Sequence, residues 1–327
     1  MSKSNRTSLR NDWVNTFYDP SEYHLAAASE DASFRSYYRL TLPNDSRIIM
    51  DAPPESENIV PFIEVAELLR KENVHTPRIY EVNLEDGFMM LEDLGNVNYL
   101  DTLKRGDADE LYQDAFMALV KIQAADHQKL PSYNQTLLQQ ELDLFEEWFL
   151  GKHLGVFLDK DQQRTLRNIC DTLIENALEQ PTVVVHRDYH SRNLMKTSRN
   201  NPGVIDFQDA VAGPISYDLV SLLKDCYIKW PLAKIHDWVD RYRELQPHTL
   251  QAPRQQFIKW FDLMGMQRHL KVLGIFARLN YRDNKPNYLD DMPLTLSYIL
   301  EATPNYPETA PLADLFEQLN LQEQLSQ

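Results

Sequence analysis

The chain has 327 residues, with 49 acidic against 33 basic side chains and a formal net charge of −16. That balance argues against nucleic acid or an anionic membrane as partner and suits a soluble enzyme, with a cationic substrate kept open. The two cysteines, Cys170 and Cys226, make neither a disulfide framework nor a metal cluster; no run approaches the roughly eighteen apolar residues of a membrane span, and the N-terminus lacks a signal-peptide core. A cytoplasmic protein is expected, monomeric or a weak dimer, and its length favours two lobes over one.

In chain order, residues 7–18 predict an amphipathic helix with Leu9, Trp13 and Phe17 at fourfold spacing. Strands follow at 23–26, at 34–42 with its half-buried alternation, and from Arg47 to Met50 after the turn at 43–46. Residues 58–72 predict a helix with Ile59, Phe62, Ile63, Ala66 and Leu69 on one face; Glu64 and Glu67 are candidates for a glutamate facing the site, with solvent favoured because no lysine partner is visible. Two more strands, 78–83 and 88–91, flank the Glu85-Asp86-Gly87 turn and end at Leu91-Glu92-Asp93-Leu94-Gly95. From 96 to 180 the pattern is helical, with stripes at 108–126, 136–150 and 161–178 that read as core. His127 and His153 stand alone and read as surface or cap residues. The last third predicts helices at 219–229, 232–246, 253–280 and 293–302, then a Pro-rich tail, Thr303 to Pro311, wrapped on the surface.

The chemistry lies in Val183 to Gln208. Val183-Val184-Val185 reads as a buried strand, His186 to Asn193 as a polar loop, and Val204-Ile205 as a second strand ending at Asp206. Read as a hairpin, this brings Asp188, Asn193 and Asp206 to one end. The spacing is H-x-D-x-x-x-x-N, with the second aspartate 13 positions after the asparagine. Phosphoryl transfer needs this inventory: one carboxylate to orient and deprotonate the attacking hydroxyl, and an amide oxygen and a second carboxylate to hold Mg²⁺ against nucleotide phosphates. A lone His-Arg-Asp would be a solvated loop; both elements in order, each with its strand, point to that reaction.

On these residues, HRDYHSRNLM followed by GVIDFQDAVAGPISYDLVSLL, the sequence resembles the aminoglycoside phosphotransferase and choline kinase-like superfamily, whose fold is that of the protein kinases. Three further stretches, DASFRSYYRL at 31–40, IIMDAPP at 48–54 and MGMQRHLKVLGIFARL at 264–279, are similar to bacterial N-acetylmuramate/N-acetylglucosamine anomeric kinases of peptidoglycan sugar recycling.

The resemblance implies an α/β kinase-like fold of two lobes. Residues 1–95 would be a small sheet-containing nucleotide lobe ending at the hinge, and 96–327 a larger helical lobe with the catalytic loop and sugar pocket. ATP and Mg²⁺ would bind between them. Asp188 would be the base, Asn193 and Asp206 the metal ligands, and Asp218 a buttress of the loop. Ser33 and Arg35 would meet phosphate in a covering loop without its usual glycines. Met90, Glu92 and Leu94 would form the adenine side of the site. Where kinases place a strand lysine, Met50 or Asp51 stands here, with Arg35 and Arg39 the nearest cations by sequence. His190, Arg192 and Asp209 are candidates for substrate contact, each with exposed charge as the alternative. On the long helix, Gln267 and Lys271 sit one turn apart and Arg268 and His269 are candidates to bind a sugar acid. The rivals are an aminoglycoside, choline or homoserine-type kinase, thinly supported by Asp283, Asp290 and Asp291, and a nucleotide-binding pseudokinase, disfavoured because Asp188, Asn193 and Asp206 are all present.

Overall fold

The structure, a computed structural model, describes residues 3–30, 34–106 and 108–325. It divides into two units, Met1–Val97 with Met195–Asp209, and Asn98–Leu194 with Ala210–Gln327. The expected second lobe thus gives up 195–209, which carries Asp206, to the first unit. Backbone bonds hold that segment there: the Lys196 N–H donates to the Val97 carbonyl at 2.8 Å and the Val204 N–H to the His75 carbonyl at 2.8 Å. Phe207 packs on Phe62, ring centroids 4.7 Å apart. Among the described residues no helix is long and apolar enough to cross a membrane.

The first unit is an antiparallel sheet with helix α1 (Lys3–Asn15) and helix α2 (Val60–Lys71). Its strands are β1 (His24–Glu30), β2 (Ser36–Leu42), β3 (Asp45–Asp51), β4 (Ile79–Asn83) and β5 (Phe88–Glu92), in the order β1-β2-β3-β5-β4. Helix α2 buries Phe62, Val65, Ala66 and Leu69 as its periodicity demands. Helix α1 departs from expectation. It begins and ends earlier, leaves Phe17 exposed, and turns Arg10 and Val14 inward beside Trp13. The Arg10 guanidinium covers the Tyr38 ring at 3.7 Å, so a cation occupies a face that a purely apolar count leaves out.

The second unit is mainly helical. It contains α3 (Tyr99–Leu103), α4 (Ala108–Ala124), α5 (Gln135–Leu144) running on as a π-helical coil over Phe145–Leu154, and α6 (Lys160–Leu178). Strand β6 (Thr182–Val185) follows. Next in the chain comes the short pair β7 (Leu194–Met195) and β8 (Gly203–Val204), which from Met195 on belongs to the first unit, then β9 (Val211–Pro214) back in the second. Here the hairpin reading is corrected. β6 pairs antiparallel with β9, and β7 pairs with β8, so the valine run and the Val204 strand belong to different ribbons. Gly213 on β9 is needed because a β-carbon there would lie 3.0 Å from Tyr133.

The unit goes on through helices α7 (Tyr217–Leu223), α8 (Leu232–Leu245), α9 (Arg254–Asp283), α10 (Met292–Ala302) and α11 (Ala310–Gln318). The last was not expected; it sets Phe316 against Phe145 at 5.7 Å between ring centroids. Helix α9 is the axis of the unit, with every residue from 260 to 274 buried. A helix buried all round must pair each polar side chain it carries. At Gly274 it comes so near α5 that a β-carbon would meet the Leu144 carbonyl carbon at 2.4 Å. One turn earlier on each helix, Lys271 and Glu141 face one another.

Candidate active site

The loop after β6 is fixed from four directions. Asp218, at the start of α7 and fully buried, accepts the His186 N–H at 2.7 Å and the Arg187 N–H at 3.0 Å. That clamp lets Arg187 take a left-handed φ of 75°. Tyr189 donates its hydroxyl to the Ala115 carbonyl at 2.7 Å. The Ser191 N–H donates to Asp225 at 3.0 Å, and the Ser191 carbonyl accepts from the Leu100 N–H at 3.1 Å. Within the loop, the Asp188 carbonyl accepts the His190 N–H and the Asn193 side-chain amide, both at 3.0 Å. The aspartate and the asparagine of the motif are therefore neighbours. His186 Nδ1 accepts the Asp188 N–H at 3.3 Å, so the imidazole braces the loop backbone from within.

Behind the loop lies a buried charge cluster that sequence reasoning missed. The Glu141 carboxylate takes the Arg187 guanidinium, the Tyr133 hydroxyl and the Lys271 ammonium, the last at 2.9 Å. Gln267 reaches the same carboxylate at 3.3 Å, and Lys271 also donates to the Tyr217 hydroxyl at 3.0 Å. With Asp188 the cluster holds two cations and two anions, which is how buried charge is tolerated. Burial pushes the Asp188 carboxyl up, but Lys271, His190, Arg268 and Arg187 together hold it below its usual value. Glu141 is likewise held low against its burial, by Lys271 and then Arg187. Asp218 goes the other way, pushed up to about 6 by burial. Lys271 and Gln267 carried a signal, a polar pair one turn apart in an apolar helix; Glu141 carried none, sitting in an ordinary amphipathic stripe.

Two expectations on α9 are overturned. Arg268 is buried, with its guanidinium 3.8 Å from the Cys226 sulfur, and His269 stacks on Tyr298 at 5.0 Å while its Nε2 meets the Lys224 carbonyl at 2.9 Å. Burial pushes His269 down to about 3, so it is neutral. Neither lines a surface, because α9 at this level is enclosed. His190 and Arg192 are placed otherwise. The His190 ring meets Tyr227 edge-on at 5.5 Å and its Nδ1 is buried without a partner, while the Arg192 guanidinium lies 3.5 Å over the same tyrosine.

In the first unit, Asp206 takes a left-handed φ of 65°, and its Oδ1 accepts from Gln208 at 2.8 Å. The same Gln208 amide reaches Asp209, which is exposed, at 3.2 Å. Among the described residues no three His, Cys, Asp or Glu side chains gather as a metal cage. Asp206 offers a carboxylate and, in the second unit, Asn193 offers an amide oxygen, each a hard-oxygen donor of the kind Mg²⁺ takes.

Of the residues expected around a nucleotide, Ser33 lies outside the described residues. Arg35 faces Glu57 at 3.9 Å, and Arg39 is tied to Asp93 at 2.6 Å and to the Gly95 carbonyl at 2.9 Å. Arg39 is thus committed within its own unit. The Met90 side chain lies in the core with Val14, Leu40 and Ile49 and does not line a surface; strand alternation turns Met89 to the opposite face. The Glu92 carboxylate accepts the Arg78 N–H at 3.1 Å. Leu94 packs over Gly203, where a β-carbon would approach its side chain to 2.8 Å. Of the two residues near the expected lysine position, Met50 is buried in the core, and Asp51 is buried and paired with Arg6 of α1 at 2.7 Å.

The phosphotransferase enzyme family model matches residues 24–255. Among known proteins, the N-acetylmuramate/N-acetylglucosamine kinase of Pseudomonas aeruginosa is 46% identical over 299 residues, covering 90% of this chain and 88% of that protein. The protein of the same name from Neisseria meningitidis is 41% identical over 323 residues, 96% of each. Among solved structures, choline kinase LicA from Streptococcus pneumoniae aligns with a TM-score of 0.65 at 10% identity, covering 91% of this chain and 99% of that one. The ADP-bound aminoglycoside phosphotransferase APH(2'')-Ib aligns at 0.59 and 13% identity, covering 89% and 97%. These last two share the fold; the family match and the relatives go further, and the chain belongs to the phosphotransferase enzyme family.

Proposed function

We propose that this phosphotransferase moves the γ-phosphoryl group of ATP to the anomeric hydroxyl of N-acetylmuramate and N-acetylglucosamine. The observation that carries the reading is the loop from His186 to Asn193, in which Asp218 clamps the His186 and Arg187 N–H groups and Asp188 is held ionised. The names of the relatives at 41–46% identity support the sugar class.

Asp188 would receive the acceptor hydroxyl and orient it. A carboxylate held below its usual value is a weak base, and a loose transition state asks for orientation more than full deprotonation. An anomeric hydroxyl suits it, being more acidic than a simple alcohol. Asn193 and Asp206 would hold Mg²⁺; bound there, the ion supplies charge neutralisation on the transferring phosphoryl group. Arg187 and Lys271, locked on Glu141, contribute fixed positive charge behind Asp188 that needs no reorganisation during the reaction.

The test is coupled ADP release with Mg·ATP and a panel of N-acetylmuramate, N-acetylglucosamine, kanamycin, choline and homoserine. Turnover with the acetylated sugars, with phosphate on the anomeric oxygen by NMR, is expected. Turnover with a cationic acceptor alone would overturn the substrate, and silence across the panel with ATP still bound would point to a nucleotide-binding regulator.

A further inference from the structure

We infer that Arg192 recognises the lactyl carboxylate of N-acetylmuramate and so sets the preference between the acidic sugar and the neutral one. The inference rests on the proposed function, and it names the side chain by which one site handles two substrates that differ by a carboxylate.

The first argument is availability. Around the catalytic loop, Arg187 and Lys271 are spent on Glu141, and Arg268 is enclosed against Cys226. Arg192 is different: its side chain is 42% exposed. Its ion pair with Asp291, at 3.9 Å, is too long for a hydrogen bond.

The second argument is preorganisation. Asp225 accepts the Ser191 N–H at 3.0 Å through one oxygen and the Tyr227 N–H at 3.1 Å through the other. One buried carboxylate thus fixes both the residue before Arg192 and the ring beneath its guanidinium. A planar fork laid on an aromatic face loses little freedom when it takes a carboxylate in bidentate fashion.

The third argument is position. Arg192 follows Asp188 by four residues, about 14 Å at full stretch, and the loop bonds from His190 and Asn193 to the Asp188 carbonyl fold that span tightly. Between the two in sequence sits His190, whose ring meets the same Tyr227 ring edge-on at 5.5 Å. An acceptor with its anomeric hydroxyl at Asp188 would extend its lactyl ether towards Arg192. With the neutral sugar bound, the guanidinium keeps its water, so its charge is never buried unpaired.

The experiment compares kcat/KM for N-acetylmuramate and N-acetylglucosamine in the wild type, Arg192→Gln and Arg192→Lys. The glutamine variant is expected to lower the ratio of the acidic to the neutral sugar by about 10- to 100-fold, the worth of hydrogen bonds between charged groups. Lysine keeps the charge without the fork and should fall between; it also supplies the ratio if the glutamine variant fails to fold. An unchanged ratio overturns the inference. So does a wild type active on N-acetylglucosamine but not N-acetylmuramate, with the proposed kinase chemistry left standing. A wild type inactive on both sugars overturns the proposed function itself, and the inference with it.

Discussion

Lys271 donates to Glu141 across 2.9 Å of buried interface between α9 and α5, and the same carboxylate holds Arg187 of the catalytic loop. Arg187 directly precedes the proposed acceptor-orienting Asp188, so two helices far apart in sequence set the charge and position of one loop. In regulated protein kinases, phosphorylation orders such elements through new arginine–phosphate pairs. Here an internal carboxylate supplies the anion.

Lys271→Met should therefore act on both stability and the protonation of Asp188. It leaves Glu141 facing one cation fewer in a buried site, a loss of about 3–5 kcal/mol for a broken buried pair, measured by urea denaturation. Lys271 is also the strongest of the charges opposing the effect of burial on Asp188. Without it the Asp188 carboxyl rises from its lowered value, which an NMR titration of that carboxyl in the folded variant reads directly, while Lys271→Arg keeps it low. An Asp188 carboxyl that stays low in the folded methionine variant would detach Lys271 from Asp188.

Asp218 should govern the acid side of the wild-type profile. Its carboxyl is raised to about 6 while Asp188 is lowered, so as pH falls Asp218 takes up a proton first. Once protonated it loses its charge-assisted hold on the His186 and Arg187 N–H groups, and kcat should drop below about pH 6. Asp218→Asn offers one acceptor oxygen where two are needed. It should lower kcat at every pH and flatten the limb, and a retained limb near 6 would assign it to another group.

The loop was legible because its chemistry is contiguous: eight residues from His186 to Asn193, introduced by a valine run, carry both the proposed base and a proposed amide ligand. The α2 face and the mixed α/β architecture were legible for the same local reason, since periodicity records burial on one element. What was not legible depends on pairing at a distance. Nothing in the valine run says that β9, not the Val204 strand, will be its partner. Arg268 and His269 look like Gln267 and Lys271 in sequence, and only the close approach at Gly274 decides which of them meets Glu141. Arg10 was passed over because an apolar count does not see a guanidinium buried on a tyrosine.

Asp188→Asn should abolish transfer, by about 10²–10⁴-fold in kcat for loss of a general base, and leave nucleotide affinity close to wild type, since its backbone bonds to His190 and Asn193 persist. Asp206→Ala should do the reverse. It removes a carboxylate ligand and should weaken Mg·ATP binding by at least about tenfold, the lower end of what even outer-shell changes cost a metal site. Calorimetric titration of both variants with the nucleotide separates the two roles, and equal nucleotide affinity in the Asp206 variant would remove it from the metal site.

Arg6 and Asp51 make the last test, as an ion pair between α1 and β3 near where the resemblance expects a strand lysine, at Met50 or Asp51. Asp51 is buried, its carboxyl is raised by burial in spite of Arg6, and Arg6 also lies 4.2 Å over the Phe88 ring. The pair thus joins α1 to the sheet, and Arg6→Ala should cost about 3 kcal/mol at neutral pH by stranding the carboxylate. The pH dependence has a definite sign. With its partner gone, Asp51 binds its proton more tightly folded than unfolded, so between the ordinary aspartate value and the raised one the variant gains stability as pH falls. The deficit should shrink on acidification and be partly repaired at neutral pH by adding Asp51→Asn, which removes the stranded charge. Thermal melts of the single and double variants across pH 4.5 to 8 would show this coupling; additive losses with no pH dependence would mean that Arg6 acts through its contact with Phe88 alone.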